Sequence, residues 1–310
     1  MSVETSAMDI KQKQAKYHDY EASTYDSKFG ITYDDRCIDY ARQRYRKVMP
    51  EGRLEGRVLE LGAGTGFFTV NLALGDCISG ELHCSDISEG MLDVCKRNAA
   101  GHGIEVVAEQ GDAENLSYDD NSFDLVIGHA FIHHLPVPGK AFQEAYRVLK
   151  PGGRLLIAGE PTYWGDRISR MVKTTTWRAF QRVTSLPRLQ QYRKPEISGA
   201  ADPEQAILAA LEHEVDLHTF HPDEVQRMAT IAGFADVEVV TEELTANWWG
   251  WSIRTIEGSV RPGAFGMRWA LTAFNGYRLL TMLDEKVMDR IVPDALFYNL
   301  IVGATKPQDA

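Results

Sequence analysis

Between residues 57 and 160 short apolar runs alternate with helical segments, and this alternation leaves the chain few architectures. RVLELGAG, ELHCSDIS, IEVVAEQGD, FDLVIGHA and RLLIAGE read as five strands. TGFFTVNLAL, Glu89–Asn98 and KAFQEAYRVL read as the helices among them. Strands that alternate with helices of this length predict a parallel sheet covered by helices on both faces. Val58-Leu59 and Leu125-Val126-Ile127 lack polar alternation, as strands buried on both faces do. Lys150-Pro151-Gly152-Gly153 predicts a tight turn before the fifth strand, since proline fixes φ and glycine tolerates positive φ.

Outside this region the pattern is looser. Residues 1–55 read as helix and connector, with Ile38, Ala41, Tyr45 and Val48 on one helical face. The opposite face holds Arg42, Arg44, Arg46 and Lys47, read as a solvated face rather than a phosphate patch. Pro50, Gly52 and Gly56 break that helix. After Glu160 the alternation lapses for about 55 residues and resumes in HPDEVQRMATIAGF, where Pro222 suits a first turn and Gly233 a stop. ADVEVVTEE and LFYNLIVGA add strands on either side of an irregular stretch from Leu244 to Val292. Three parts are therefore expected: an N-terminal helical segment over 1–55, a core over 56–160, and a C-terminal half over 161–310. The last would hold two insertions, about 161–215 and 244–292, covering one end of the sheet as a helical lid.

The chemistry concentrates in Glu60-Leu61-Gly62-Ala63-Gly64-Thr65-Gly66 at the end of the first strand. Ligands of open parallel sheets bind beyond the carboxyl ends of the strands, and glycines there let a ligand approach the backbone. The following helix directs its free N–H groups at incoming negative charge. A dinucleotide fingerprint would need glycine where Phe67 stands, and a phosphate loop would end in Gly-Lys-Ser/Thr. Glu60 would repel a pyrophosphate but attract an ammonium group. Asp86 ends the second strand, where a carboxylate accepts both ribose hydroxyls or caps the next helix. Gly111-Asp112-Ala113 ends the third strand, where a carboxylate can take an adenine amine. An amino acid, a ribose and an adenine without a phosphate describe S-adenosyl-L-methionine.

The ordered segments VLELGAGTG, CSDIS-EGML, GDAENL, SFDLVIGHAFIHHL and EAYRVLKPGGRLLI resemble class I S-adenosylmethionine-dependent methyltransferases. The small-molecule group that includes quinone and sterol C-methyltransferases is the most similar. The resemblance implies a Rossmann-like, doubly wound, seven-stranded and mostly parallel α/β sheet. It also implies S-adenosyl-L-homocysteine as product and methylation of a small acceptor as activity. Carried onto this chain, it gives Glu60, Gly62, Ala63, Gly64 and Gly66 to the methionine part and Asp86 to the ribose. Ile87 and Met91 would pack on the adenine, with Asp112 and Ala113 at its edge. His129 would lie beside the sulfonium, and Tyr25, in the pair Tyr25-Asp26, would close over the methionine end or serve as a core aromatic.

Methyl transfer needs alignment of the acceptor and exclusion of water, and needs a base only if the acceptor loses a proton. His129, His133 and His134 sit where such a base belongs, and they equally suit packing of the loop; His133 is the foremost catalytic candidate. All six tryptophans (Trp164, Trp177, Trp248, Trp249, Trp251 and Trp269) fall in the insertions, either lining an apolar acceptor pocket or packing an accessory core. His213, His218 and His221 match no common metal spacing, so no metal is expected.

Charge bears on partners. With 33 basic and 44 acidic residues the chain carries −11, a poor default for nucleic acid or a strongly anionic surface. Cys37, Cys77, Cys84 and Cys95 form no CxxC pair, as in a reducing compartment. No signal-like start or spanning apolar run is evident, so a cytoplasmic protein without stable membrane insertion is expected, with a homodimer open. Against the small-molecule reading stand an RNA or protein methyltransferase, a non-catalytic cofactor-binding protein and, more remotely, a nicotinamide dehydrogenase. Gly128-His129-Ala130-Phe131 replaces the Asn-Pro-Pro-Tyr type of tetrad suited to adenine or amide acceptors.

Overall fold

The computed structural model describes residues 3–49, 51–190, 215–261 and 265–309. Seven strands form one sheet: β1 (Leu54–Leu61), β2 (Ile78–Asp86), β3 (Val107–Gln110), β4 (Phe123–His129), β5 (Leu149–Pro161), β6 (Ala235–Glu242) and β7 (Asn299–Thr305). Their order is β3-β2-β1-β4-β5-β7-β6, so the chain reverses direction across the sheet between β1 and β4. β1 lies parallel to β2 with Leu61 opposite Ser85, and parallel to β4 with Leu61 opposite Gly128. β7 runs antiparallel: Gly152 donates to the Lys306 carbonyl at one end of β5, and Thr162 to the Tyr298 carbonyl at the other.

The unalternated runs are buried on both faces as expected. Val58, Leu59, Leu125, Val126, Ile127, Leu155 and Leu156 are wholly inaccessible. The helices that bury them are α3 (Asp35–Val48), α4 (Phe67–Leu74), α5 (Glu89–Gly101) and α6 (Pro138–Val148). Ala41, Tyr45 and Val48 of α3 join Phe68 and Leu72 of α4 against Val58, Leu125 and Ile127. Truncating one of these leucines costs about 2–5 kcal/mol, because the cavity left behind collapses only in part.

Several local expectations change. The N-terminal segment breaks into α1 (Val3–Glu21) and α2 (Tyr25–Phe29) ahead of α3. The turn expected at Lys150–Gly153 lies inside β5, where Gly152 at φ +80° makes a bulge. The register there jumps from Phe123 opposite Leu149 to Leu125 opposite Arg154, which absorbs the extra residues without ending the strand. Arg44 is not on a solvated face. It is buried, stacks on the Tyr40 ring at 3.2 Å and donates to the Tyr40 carbonyl. Pro50 lies outside the described residues.

The chain divides into two compact units. The first takes Met1–Glu160, Ala206–Val240 and Ile301–Ala310, so α1 to α3 belong with the sheet instead of standing apart. It includes α8 (Pro222–Ala232), which has Pro222 in its first turn and Gly233 at its end as expected. The second takes Pro161–Gln205 and Thr241–Leu300. Its described helices are α7 (Tyr163–Val183), α9 (Thr245–Ser259) and α10 (Met267–Lys286), with α9 packed against both of the others. The stretch after Leu244 is thus regular helix. Buried Asp284 caps its start, accepting from the N–H groups of Leu244, Thr245 and Ala246.

Candidate active site

The predicted cofactor residues of the sheet lie at the carboxyl ends of β1, β2 and β4 in the first unit. Beyond Leu61 the chain turns through Gly62 at φ +61° and Gly64 at φ +51°. The two glycines are there for different reasons. A Cβ on Gly62 would stand 2.4 Å from Phe131 Cβ, whereas one on Gly64 would meet nothing within 4 Å. Gly64 therefore fronts open space, and its bare backbone is what a ligand would meet. Gly66 starts α4.

Two carboxyl groups bracket the loop. Glu60 is buried beneath it, and its Oε2 accepts the Thr69 N–H at 3.0 Å. Burial raises its pKa to about 8, against the pull of the Thr69 bonds, and no Lys, Arg or His among the described residues pairs with it. An ammonium ligand would supply a counter-ion. Asp86 Oδ2 accepts the Gly64 N–H and Oδ1 the Ser88 N–H, both at 2.8 Å. Ser88, not Asp86, caps α5 by accepting from Met91 N–H. Each Asp86 oxygen keeps a further acceptor site, so its structural bonds leave room for hydroxyls.

The other predicted residues gather around this pair. Met91 is buried with Ala22 and Val94, and Tyr25 packs against the three. The Tyr25 ring lies 6.5 Å from that of His18, and burial followed by the charge of Asp86 pushes its hydroxyl pKa up. Ile87 is half-buried, and its carbonyl accepts from Gln110. Asp112 pairs with Lys11 at 2.6 Å and accepts the Glu114 N–H, with half-buried Ala113 between them.

The three histidines have different surroundings. His129 packs against the rings of Tyr40, Phe67 and Phe68, and its Nε2 is 3.1 Å from the Tyr40 hydroxyl. Desolvation and then the Arg44 charge bring its pKa down to about 3, so the imidazole stays neutral. His134 Nδ1 is 3.0 Å from the Val215 carbonyl, and burial holds its pKa well below the ordinary histidine value. His133 Nδ1 lies 2.7 Å from Oε2 of Glu160, a wholly buried carboxylate that also accepts the N–H groups of Phe131 and Ile132. That bond fixes the orientation of the ring, whose Nε2 lies 3.8 Å from Asp216 Oδ1.

Five site residues escaped the sequence reading. Lys11, Gln14, His18 and Asp19 come from α1. Lys11 ties Asp112 and Glu114 together at 2.6 Å each, Gln14 donates to the His134 carbonyl, and Asp19 accepts from Ser88 Oγ and Gly90 N–H. Glu160 is the fifth, and only its place at the end of a strand hinted at it. Of the histidines weighed for a metal, His213 lies outside the described residues, His218 stacks near Phe220, and His221 precedes α8. Among the described residues His133, His134 and Asp216 do converge, with ligand atoms within 4.8 Å.

Comparison with known proteins places this geometry. Residues 59–157 match the family described as a methyltransferase domain. The chain is 41% identical over 102 residues to demethylmenaquinone methyltransferase of Clavibacter sepedonicus, covering 33% of this chain and 40% of that protein. It is 39% identical over 103 residues to the ubiquinone/menaquinone biosynthesis C-methyltransferase UbiE of Pasteurella multocida, covering 33% and 38%. With 2-methyl-6-phytyl-1,4-hydroquinone methyltransferase 1 of rice it shares 33% over 113 residues, 36% of this chain and 33% of that protein. The matched region spans two-fifths or less of these relatives.

Among solved structures, phosphoethanolamine N-methyltransferase 2 of Haemonchus contortus, in complex with S-adenosyl-L-methionine, superposes with a TM-score of 0.53 at 16% identity, over 94% of this chain and 60% of that one. An S-adenosylmethionine-dependent methyltransferase of Thermotoga maritima gives 0.52 at 18%, over 94% and 99%. The fold is Rossmann-like, as in these methyltransferase structures.

Proposed function

We propose that this protein transfers a methyl group from S-adenosyl-L-methionine to a small aromatic acceptor of quinol or phenol type, releasing S-adenosyl-L-homocysteine. The observation that supports this reading most is the loop of Gly62 and Gly64 set between a buried carboxyl with no counter-ion among the described residues and a second carboxylate. A zwitterion suits that donor set, and a pyrophosphate does not. When bound, S-adenosyl-L-methionine supplies a methyl carbon activated by a positive sulfur.

The residues divide the remaining work. Glu60 holds the ammonium, the loop from Gly62 through Ala63 to Gly66 takes the carboxylate end, and Asp86 accepts from the ribose. Ile87 and Met91 pack on the adenine, while Asp112, fixed by Lys11, and Ala113 meet its edge. Tyr25 covers the methionine end, and His129, kept neutral by its aromatic box, lines the same end without competing for a proton. His133 takes the proton that the acceptor loses, its ring held in place by the Glu160 carboxylate at Nδ1. Glu160 is a positioning residue. The quinone and hydroquinone names of the relatives support an aromatic acceptor.

The test is transfer of an isotopically labelled methyl group to the compounds of a cell extract, identified by mass. Label in an aromatic lipid-soluble compound is expected, with His133→Ala lowering kcat about 10²–10⁴-fold at unchanged cofactor affinity. Label only in RNA or protein, or no label with intact cofactor binding, would reject the proposal in favour of those other readings.

A further inference from the structure

The second unit shows a pattern that the methyl-transfer site does not use. Helices of water-soluble folds bury their large apolar side chains and expose polar ones. α7 departs from this. Its fully buried residues are Gly165 and Ser169, with Thr176, Val172 and Phe180 half-buried on the same face: a Cβ on Gly165 would lie 2.5 Å from Tyr298 Cα, Ser169 Oγ accepts from Asn247 at 2.6 Å, and Thr176 Oγ1 meets Ser252 Oγ at 3.2 Å. At 100° per residue Trp164 and Met171 fall on the far side and Trp177 on a flank, and they are 45%, 59% and 48% exposed.

α10 repeats the arrangement. Gly276 lies against the Trp249 ring, Ala273 accepts from Trp249 Nε1, and Asp284 is buried. Met267, Leu271, Leu279 and Met282 are left facing solvent. The fully buried residues of both helices are thus small or polar, while several large apolar side chains stay exposed.

Charge indicates the occupant. In a chain of −11, α7 has Arg167, Arg170, Lys173, Arg178 and Arg182 against Asp166 as its one acidic residue. Several of these cations already sit with the aromatics or with Asp166: the Arg167 guanidinium is 6.0 Å from the Trp164 ring, Lys173 Nζ is 4.2 Å from Trp251, and Arg170 pairs with Asp166 at 2.6 Å. Tryptophan interleaved with long cationic side chains matches the boundary of a bilayer, where indoles sit at headgroup depth and cations meet lipid phosphates. No helix among the described residues is long and apolar enough to cross a membrane, so the geometry is that of a helix lying on one. We infer that the outer sides of α7 and α10 form a docking surface for the headgroup region of an anionic lipid bilayer.

The experiment sediments the full chain with vesicles of phosphatidylcholine alone and of phosphatidylcholine containing one part in three of phosphatidylglycerol. Retention on the anionic vesicles should exceed that on neutral ones by about tenfold and should weaken as salt rises. The double variant Trp164→Ala/Trp177→Ala and the charge reversal Arg178→Glu/Arg182→Glu should each lose most of that retention. Both should keep the far-ultraviolet spectrum and the S-adenosyl-L-homocysteine affinity of the parent, which separates loss of docking from loss of fold. Equal retention on both vesicle types, or none on either, would overturn the assignment. So would a dimer abolished by the tryptophan variant, which would make the surface a contact between copies, or tighter retention by RNA than by vesicles.

Discussion

Glu60 sets the electrostatics of the loop. Its folded-state pKa stands near 8, above the ordinary value of 4.5, because burial favours the neutral acid. Between those two pH values the folded chain holds a proton that the unfolded chain has lost, so this group's contribution to stability is present at low pH and declines as pH rises towards 8. The same proton couples to binding. An ammonium ligand requires the carboxylate, so at pH 7 its binding expels close to one proton, and affinity rises about tenfold per pH unit from 6 towards 8. Calorimetry in buffers of different ionisation enthalpy measures that proton, and Glu60→Gln should abolish both the release and the pH slope. A slope unchanged in the variant would remove Glu60 from the ammonium site. The loop glycines give a second contrast at this scale. Gly62→Ala adds a 2.4 Å clash to left-handed strain and should destabilise the fold by about 3 kcal/mol or more. Gly64→Ala carries only the strain, about 1–2 kcal/mol, yet puts a methyl group into the space where the ligand lies. Chemical denaturation and cofactor titration together should show one variant losing stability and the other losing affinity.

At the level of elements, β5 and β7 are secured by one side chain. Lys306 is buried, and its Nζ donates to Asn121 Oδ1 and to the carbonyls of Tyr146 and Leu149, where α6 ends and β5 begins. Lys306→Met retains the stem but strands three acceptors, and it should cost about 2–4 kcal/mol in urea unfolding. A loss below about 1 kcal/mol would show that water satisfies those groups. Elements of this kind explain what the sequence could and could not reveal. β1, β4 and the glycine loop were legible because their signals are local: continuous apolar runs, glycine spacing and the acid beside it. The bulge at Gly152 looked like a turn because proline and glycine favour either, and only pairing with β4 and β7 decides between them. The α1 clamp was hidden because Lys11 and Asp112 meet across 101 residues, and nothing in a polar helix marks which lysine will have a partner. α9 and α10 looked irregular because their inner faces mix small and polar residues such as Asn247, Gly276 and Asp284 with apolar ones, which defeats a search for apolar periodicity.

For the whole molecule, the comparisons and the geometry divide the chain. The first unit has the residues that match a methyltransferase domain and the predicted site residues, and the second has every tryptophan and a positively charged helix. The relatives match over about 100 residues, a third of this chain, so the acceptor chemistry proposed for it rests on its own side chains, His133 and Glu160 above all. All of it presupposes that the loop of Gly62 and Gly64 holds S-adenosyl-L-methionine. Isothermal titration of the intact protein with S-adenosyl-L-homocysteine tests that supposition most directly. One site per chain is expected, competed by S-adenosyl-L-methionine, weakened by Asp86→Ala and indifferent to NADH. Absence of S-adenosyl-L-homocysteine binding together with saturable uptake of NADH would contradict the account.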